Sequence, residues 1–247
     1  MSVSRRYHES VTDVTDVSTA PFALPATDVT AKLTDPGAAR LDQATENELY
    51  ALYRAYFADA EETRAWSVAE AIPPDLAYPA PPSPALLAAA HACHNAELFL
   101  PDYQATLLKY TRGSRARAWY VTRWAYEEVK HLLALGEWLI RRGVATSETL
   151  EEQLSDSLGA ARWQPPSTEA TALFADAALY ETQEIERYRR LKEAAQAEGD
   201  AALVGLCDHI LADERAQYDF FSRALEIIKV RHPAKHEEAM RIVSPAA

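Results

Sequence analysis

Four long segments of the sequence carry apolar residues at steps of three and four, the repeat that aligns side chains along one face of an α-helix. No segment alternates with the period of two that a strand would need. The sequence therefore predicts an all-α fold, a four-helix bundle with flanking helices. The four inward faces are Leu87, Ala90, His94, Glu97, Pro101, Gln104 and Leu108; Arg117, Val121, Trp124, Glu128, His131, Leu135 and Trp138; Phe174, Ala177, Glu181, Glu184, Tyr188 and Leu191; and Leu203, Cys207, Ile210, Glu214, Gln217, Phe221, Leu225 and Ile228.

Capping residues, prolines and glycines predict where the helices begin and end. The prolines of the segment IPPDLAYPAPPSP, residues 72–84, exclude a continuous helix there. We expect a first helix that opens on Thr45 with a capping box completed by Glu48, a second from Ser83 to Gly113 with a bend at Pro101, and a third from Ser114 to Gly143. A shorter helix should follow over 147–158. Further helices should run from Thr168 to Ala197, where Gly199 stops the helix, from Asp200 to Val230, and over a short stretch after Pro233.

The domain organisation follows from the same pattern. Residues 1–44 are rich in Thr, Ser, Asp, Ala and Pro and lack a sustained period, which predicts a flexible N-terminal arm. Residues 45–232 are expected to form the helical bundle domain, and residues 233–247 a short C-terminal helix and tail.

Charge and composition narrow the classes of partner and compartment. The 247 residues carry a formal net charge of -12, which argues against binding to nucleic acid or to an anionic membrane. The two cysteines, Cys93 and Cys207, have the spacing of neither a zinc motif nor a disulfide framework. No apolar run is long enough for a membrane span or a signal peptide. We expect a cytoplasmic protein.

Each inward stripe carries a glutamate near its middle, where an apolar residue is the rule. These four are Glu97, Glu128, Glu181 and Glu214. A carboxylate buried without a partner costs several kcal/mol, and four together would also repel one another. A bundle keeps such a cluster only where cations neutralise it, so the pattern predicts a metal centre.

The spacing of these residues indicates a centre for two ions. Along the chain, a lone glutamate is followed one helix later by Glu-x-x-His at Glu128 and His131, and then the pattern repeats with Glu-x-x-Gln at Glu214 and Gln217. Carboxylates with imidazole suit iron or manganese, and this layout is that of four-helix dimetal carboxylate proteins. Glu127 is expected on the opposite, solvated face, beside Arg123 and Lys130.

The alternative to a metal centre is an ordinary helix surface. Any one of these glutamates taken alone is better explained as an exposed residue, and His131 alone as a hydrogen-bonded core histidine. The placement of all four glutamates on inward faces is what favours the metal centre.

Four stretches resemble the soluble acyl-carrier-protein desaturase family, whose members are ferritin-like di-iron enzymes. The matching stretches are AELFLPDYQATLL (96–108), TRWAYEEVKHLLAL (122–135), ALYETQE (178–184) and LADERAQYDFF (211–221), and EETRAWSVAEAIPPD (61–75) is similar to the family's tryptophan-containing segment. The resemblance implies a ferritin-like bundle and oxygen-dependent removal of two hydrogens from an acyl chain on an acyl carrier protein. It also implies two iron ions, or an iron and manganese pair, electrons from a ferredoxin-type donor, and a homodimer.

The resemblance also implies a role for each matching residue. Glu97 and Glu181 would be terminal ligands, one to each ion, and Glu128 and Glu214 would bridge the ions. His131 would bind the ion shared with Glu97. Asp213 matches an acid that orients this histidine.

Two positions depart from the family pattern. Gln217 replaces the histidine expected on the ion shared with Glu181, and Glu184 stands where the family usually has a hydroxyl residue near the oxygen site. Gln217 could bind metal through its amide oxygen with Glu184 adding a carboxylate, His94 could lend an imidazole instead, or the second site could be empty.

These departures leave three functions open. The first is desaturation of a carrier-bound acyl group. The second is hydroxylation or N-oxygenation of a small or carrier-bound metabolite, which Glu184 favours. The third is a degenerate metal-binding partner without catalysis, which Gln217 favours.

Overall fold

The computed structural model describes residues 39–76, 78 and 80–244. Most of the predicted arm, residues 1–38, lies outside this part of the chain. The described residues form helices and no strand, which confirms the predicted all-α fold. The helices are α1 Gln43–Glu62, α2 Val68–Ala71, α3 Pro84–Ala96, α4 Leu100–Thr111, α5 Arg115–Arg141, α6 Ser147–Ala160, α7 Ala170–Glu198, α8 Ala201–Arg231 and α9 Pro233–Val243.

The start of α1 differs from the prediction. The helix begins three residues earlier than expected, because Asp42 and not Thr45 is its N-cap: the Asp42 carboxylate accepts from the backbone N–H groups of Ala44 and Thr45. Glu48 takes no part in a capping box and instead pairs with Arg231. Aspartate caps a helix as well as threonine does, and the sequence offered both.

The predicted helix from Ser83 to Gly113 is interrupted at Glu97, the first of the predicted metal ligands along the chain. Ser83 caps α3 as expected, but α3 ends at Ala96 and a 3-10 turn over Glu97–Phe99 separates it from α4. Pro101 explains the break, because proline has no N–H to donate and its ring clashes with the carbonyl four residues back, which is that of Glu97. The bend therefore falls before Pro101 and sets the position of Glu97.

The four long elements pack around two apolar clusters at different levels of the bundle. One cluster is centred on aromatic residues of α5, α7 and α8, including Tyr120, Phe174 and Phe221. The other contains Trp138, Leu191 and further residues from the opposite halves of the same helices. The predicted site residues occupy the stretch of each helix between these clusters, so they form a polar layer in the dry middle of the bundle.

Three further features complete the architecture. Gly199 adopts the left-handed conformation, with φ 71°, that lets α7 turn at once into α8. Helix α1 packs across α5 and α8, and α9 packs against α7 and α8. Within the described residues, no helix combines the length and the apolarity that crossing a membrane requires.

The two leucines Leu191 and Leu179 of α7 give a test of this packing. Leu191 is fully buried, whereas the side chain of Leu179 is 38% exposed. Leu191→Ala should lower the free energy of unfolding by about 2–5 kcal/mol, because it leaves a cavity in the core. Leu179→Ala, the same change on the same helix, should cost less than ~1 kcal/mol. Urea denaturation of both variants measures the difference, and equal losses would contradict the packing described here.

Candidate metal centre

Four of the predicted ligands lie together. Ligand atoms of Glu97, Glu128, His131 and Glu214 are all within 4.8 Å of one another, and each of these residues is buried. They come from the 3-10 turn, from α5 and from α8, so the tertiary fold brings together side chains that are far apart in sequence. This buried group of carboxylates and imidazole could hold a metal ion.

Glu181 joins the same layer from α7. Its Oε1 accepts a hydrogen bond from the Trp124 indole N–H at 3.0 Å. Repulsion from Glu214 is one of the causes that raise the pKa of this carboxyl group, so the two carboxyl groups are near each other. Four glutamates from four chain segments therefore meet in one layer, as the sequence predicts.

The oxygen atoms of this layer fit a metal centre. Buried polar atoms in proteins are almost always hydrogen-bonded, and exceptions call for an unseen ion or water. Here several ligand atoms lack a hydrogen-bond partner in the described structure. These atoms are Glu97 Oε1, both carboxylate oxygens of Glu128, Glu181 Oε2, both carboxylate oxygens of Glu214, His131 Nδ1 and Gln217 Oε1. Such a convergence of orphaned donor atoms is the arrangement that divalent cations bind.

The pKa values of three of these carboxyl groups are raised by the same burial and crowding of charge. Burial first, and then repulsion from Glu128 and Glu214, raises the pKa of Glu97 well above its ordinary value. Burial and the charges of Glu214 and Glu128 do the same to the pKa of Glu181. Burial and Glu128 raise the pKa of Glu214 to about 7, although His131 opposes the shift. The metal-free site therefore holds protons in place of a cation.

His131 is held between the carboxylate layer and Asp213. Its Nδ1 lies 3.2 Å from Glu214 Oε1 and 3.8 Å from Glu128 Oε2, while its Nε2 lies 3.5 Å from Asp213 Oδ2. Burial disfavours the imidazolium, but the charge of Glu128 and hydrogen bonding to Asp213 outweigh it and raise the pKa of His131. The ring thus presents one nitrogen to the layer and the other to an orienting acid.

Asp213 is itself fixed by two donors from the segment after α1. It accepts from the Trp66 indole N–H at 2.8 Å and from Arg64. Burial would raise the pKa of Asp213, but His131, Trp66 and Arg64 together lower it. Asp213 is therefore an anion in a fixed position beside His131.

The prediction for Glu127 is wrong. This residue was expected on a solvated face, yet it is 1% exposed, because α1 packs over that side of α5. Its carboxylate accepts from the Tyr56 hydroxyl, from Arg123 Nε at 2.9 Å and from Gln217 Nε2 at 3.3 Å. The expected neighbour Arg123 is present, but it lies in a buried network.

The contact between Glu127 and Gln217 determines how the amide is oriented. A carboxylate without a proton only accepts hydrogen bonds, so the amide nitrogen of Gln217 must face Glu127. Its amide oxygen is then directed away from Glu127 and has no hydrogen-bond partner in the described structure. Gln217 is fully buried.

Asp213 and Glu127 occupy equivalent positions relative to the residues that they contact. On α8, Asp213 precedes Glu214 and contacts His131 of α5; on α5, Glu127 precedes Glu128 and contacts Gln217 of α8. Each helix therefore supplies the acid that orients the other helix's ligand. The repeated acid-Glu-x-x-(His or Gln) pattern was visible in the sequence and could have identified Glu127.

Two other predicted residues lie outside the group of four. Glu184 is fully buried, and one of its oxygens is paired with Arg187, one turn further along α7. Burial lowers the pKa of His94. A Cβ added to Gly136 would lie 3.9 Å from His94 Nε2, so this imidazole packs against α5.

A small cavity adjoins the layer on the side of Glu181. It measures about 40 Å³, and two of its lining residues, Trp124 and Tyr180, contact or neighbour Glu181. The other walls are mainly apolar, with the carboxyl of Asp176 as their charged group. Its volume holds a water molecule or two and not an extended chain.

Comparison with protein-family models and with curated proteins returns no match for this sequence. The membership in the desaturase family that its motifs imply therefore stays a prediction.

Stability without metal should fall as the pH rises. The folded, metal-free chain keeps protons on Glu97, Glu181 and Glu214 at a pH where the unfolded chain has lost them, so raising the pH favours unfolding. The raised pKa of His131 acts in the same direction. Asp213, whose pKa is lowered, contributes stability that is lost only in acid. The melting temperature of the metal-free protein should thus decrease between about pH 5 and about pH 8.

Calorimetry on the chelator-treated protein measures this slope. The double variant Glu97→Gln/Glu181→Gln should show a flatter slope, whereas Glu62→Gln, on the exposed surface of α1, should not change it. Anaerobic addition of iron(II) or manganese(II) should raise the melting temperature most at the alkaline end. A slope that is the same in wild type and double variant would contradict the protonated layer.

Proposed function

We propose that this protein is an oxygen-activating dimetal oxidoreductase, and most concretely a desaturase of acyl groups carried on an acyl carrier protein. The observation that supports the proposal is the buried layer in which carboxylate oxygens from four chain segments converge without hydrogen-bond partners. The acyl substrate and the carrier come from the resemblance of the four motif stretches.

The proposed ligand set divides between two ions. Glu97 and His131 would hold the first ion, Glu181 and Gln217 would hold the second, and Glu128 and Glu214 would contribute to both. The close grouping of Glu97, His131 and the two bridging residues supports the first site. The amide oxygen of Gln217, turned away from Glu127, supports the second.

Dioxygen reduction is the chemistry that a pair of iron or manganese ions would supply here. Desaturation removes two hydrogens from the acyl chain, and dioxygen takes these together with two electrons and two protons to give two molecules of water. The electrons must come from outside the chain, and a ferredoxin-type protein is the proposed donor.

The chain's own residues would prepare the site for this reaction. The apolar clusters above and below the layer exclude water, which strengthens every charge interaction inside it. Trp124 holds the carboxylate of Glu181, and Asp213 fixes the ring of His131. Glu184 is the buried carboxyl group one turn from Glu181 that we propose near the oxygen site, with Arg187 holding one of its oxygens.

The second site is poorer in nitrogen than the first. An amide oxygen is a harder and weaker ligand than imidazole, so the second site should accept manganese more readily than the first site does. Two iron ions and an iron and manganese pair are both compatible with this ligand set.

The small cavity supports a second candidate function. An acyl chain needs more room than about 40 Å³ beside Glu181, so a long chain requires movement of the lining residues Tyr103 and Trp163. A compact substrate needs less movement. Hydroxylation or N-oxygenation of a small metabolite is therefore the alternative that this geometry favours.

An acidic carrier needs a basic patch on which to dock, and the chain around the start of α5 carries three candidate residues, Arg112, Arg115 and Arg117. Arg112 and Arg115 are exposed, but Arg117 is fully buried and donates to the backbone carbonyl of Ala39. A buried arginine cannot contact a carrier. Only the first two residues of that group are available for an acidic partner.

Metal content per chain tests the proposed site directly. Elemental mass spectrometry after anaerobic loading should find two ions in the wild type. Gln217→Ala should retain the first ion and bind the second at least about tenfold more weakly, and Gln217→His should bind it more tightly. Glu226→Gln, an exposed change on the same helix, is the matched control. One ion or none in the wild type would instead indicate a degenerate, non-catalytic partner.

The mass of the product separates the two enzymatic functions. Reduced, metal-loaded protein with dioxygen and a carrier-bound acyl substrate should give a product two hydrogens lighter. A gain of one oxygen, from a carrier-bound or free small substrate, would favour the hydroxylase. Glu128→Gln should abolish either reaction, and the absence of oxygen consumption with every substrate tried would contradict both.

A further inference from the structure

The small cavity next to the carboxylate layer has one charged group in its walls. This group is the carboxyl of Asp176, and most of the lining around it is aromatic. The rings belong to Tyr103, Trp124, Trp163 and Tyr180. A carboxylate in such surroundings is normally hydrogen-bonded or paired with a cation, because leaving it alone is costly. Asp176 therefore calls for a partner.

The described part of the chain does not supply that partner. Asp176 is half-buried, and it receives neither a hydrogen bond nor an ion pair from the described residues. The arginines near the cavity are engaged elsewhere, since Arg187 pairs with Glu184 and Arg162 lies beside Asp102. Burial raises the pKa of Asp176 above its ordinary value. The positive charge that would balance this carboxylate is thus missing from the described residues.

The aromatic walls suit a cation as well. The Tyr103 ring lies edge-on to the Trp163 ring, with centroids 4.7 Å apart and an angle of 89° between the planes. It is also inclined to the Tyr180 ring, at 5.6 Å and 60°. Rings inclined in this way present their faces in different directions, as in the aromatic cages that bind ammonium groups. The electron-rich faces attract a cation, and the carboxylate adds a full negative charge.

Two hydrogen bonds hold these walls in place. The backbone N–H of Trp163 donates to Asp102 Oδ2 at 3.0 Å, which fixes the segment between α6 and α7 against α4. The Tyr180 hydroxyl donates to the backbone carbonyl of Ala96 at 3.3 Å. Because the walls are positioned before a ligand arrives, binding does not have to order them, and its entropic cost is lower.

The size of the cavity limits which cation fits. Its volume of about 40 Å³ admits a primary ammonium group, which is about as large as a water molecule, together with the first carbon atoms next to it. A trimethylammonium group is much larger and would collide with the rings. An apolar acyl chain would leave the carboxylate of Asp176 without a counter-charge.

From these observations we infer that the cavity binds the ammonium group of a small primary amine, with Asp176 as the counter-ion. Tyr103, Trp163 and Tyr180 form the aromatic walls around that group. This binding does not depend on the metal centre.

The position of Asp176 indicates what the amine would be for. Asp176 precedes Glu181 by five residues, which is about 7.5 Å along the axis of α7. An amine held by Asp176 would therefore have the atoms next to its nitrogen close to the carboxylate layer. The identification of this amine as the substrate of a hydroxylase or N-oxygenase rests on the second candidate function proposed above.

Binding of small probes to the full-length, chelator-treated protein tests the inference. Propylamine, propan-1-ol, propionate and tetramethylammonium differ in charge and in bulk. Titration followed by tryptophan fluorescence, to which Trp124 and Trp163 in the cavity walls should respond, measures their affinities, and saturation-transfer NMR gives a second readout. Propylamine should bind with a dissociation constant of about 1 mM. The other three probes should bind at least about tenfold more weakly.

Three variants separate the charge from the shape of the site. Asp176→Asn keeps the shape and should weaken propylamine binding at least about tenfold, because a charge-assisted hydrogen bond is lost. Glu193→Gln removes a charge from the exposed surface of the same helix and should leave the affinity unchanged. Trp163→Leu keeps an apolar wall without an aromatic face. It should weaken propylamine binding about threefold or more and leave the binding of propan-1-ol unchanged.

The melting temperature distinguishes a binding carboxylate from a structural one. A half-buried carboxylate without a partner does not stabilise the fold, so the ligand-free Asp176→Asn variant should melt at the wild-type temperature or above it. A lower melting temperature would assign Asp176 to the packing of the fold and overturn the inference. The metal content of this variant should equal that of the wild type.

The binding results also separate this inference from the proposed function. Equal affinities for propylamine and propan-1-ol, unchanged affinity in Asp176→Asn, or a preference for tetramethylammonium would each overturn the amine site. If such a protein still holds two metal ions and consumes oxygen, the proposed function stands without the amine site. Selective binding of propylamine by a chain that holds no metal would have the reverse meaning.

Discussion

Mutual repulsion among four buried carboxylates is the constraint on which the rest of this structure depends. Glu97, Glu128, Glu181 and Glu214 lie in the driest part of the bundle, where each charge loses its hydration and gains a like-charged neighbour. Protons can relieve this repulsion, at the expense of stability near neutral pH, and so can cations.

A shell of orienting groups holds the inner residues of this layer in place. Trp124, Asp213 and Glu127 each hold one of the inner residues by a single hydrogen bond or close polar contact. Asp213 and Glu127 each do so from the helix opposite to the residue that they orient. Gln217 follows the same arrangement: its amide donates to Glu127 and directs its oxygen away from that acid. Unlike the imidazole of His131, an amide neither gains nor loses a proton at physiological pH.

Periodicity predicts the bundle and the inward glutamates, because a buried carboxylate stands out against an apolar stripe wherever the helical repeat is regular. Local chemistry also located Ser83, Gly199 and the break near Pro101. Prediction from the sequence failed where tertiary packing determines the environment of a residue. Glu127 lies beside two cations on the helical wheel and looks solvated, yet α1 covers that face, and nothing in the sequence around Glu127 states where α1 will dock. Asp42 and Thr45 can both act as the N-cap of α1, and the sequence around them does not determine which of the two does so.

Helix α5 connects the interior of the bundle to its surface. Glu128 and His131 point into the carboxylate layer, while Tyr126, Val129 and Leu133 lie on the exposed outer face of α5, so residues two or three apart lie on opposite faces. A shift of α5 would therefore move Glu128 and His131 relative to Glu214 of α8. A rigid α5 matters because metal ligands must stay within a few tenths of an ångström of their positions. The exposed apolar face thus lies on the side of α5 that is turned away from Glu128 and His131.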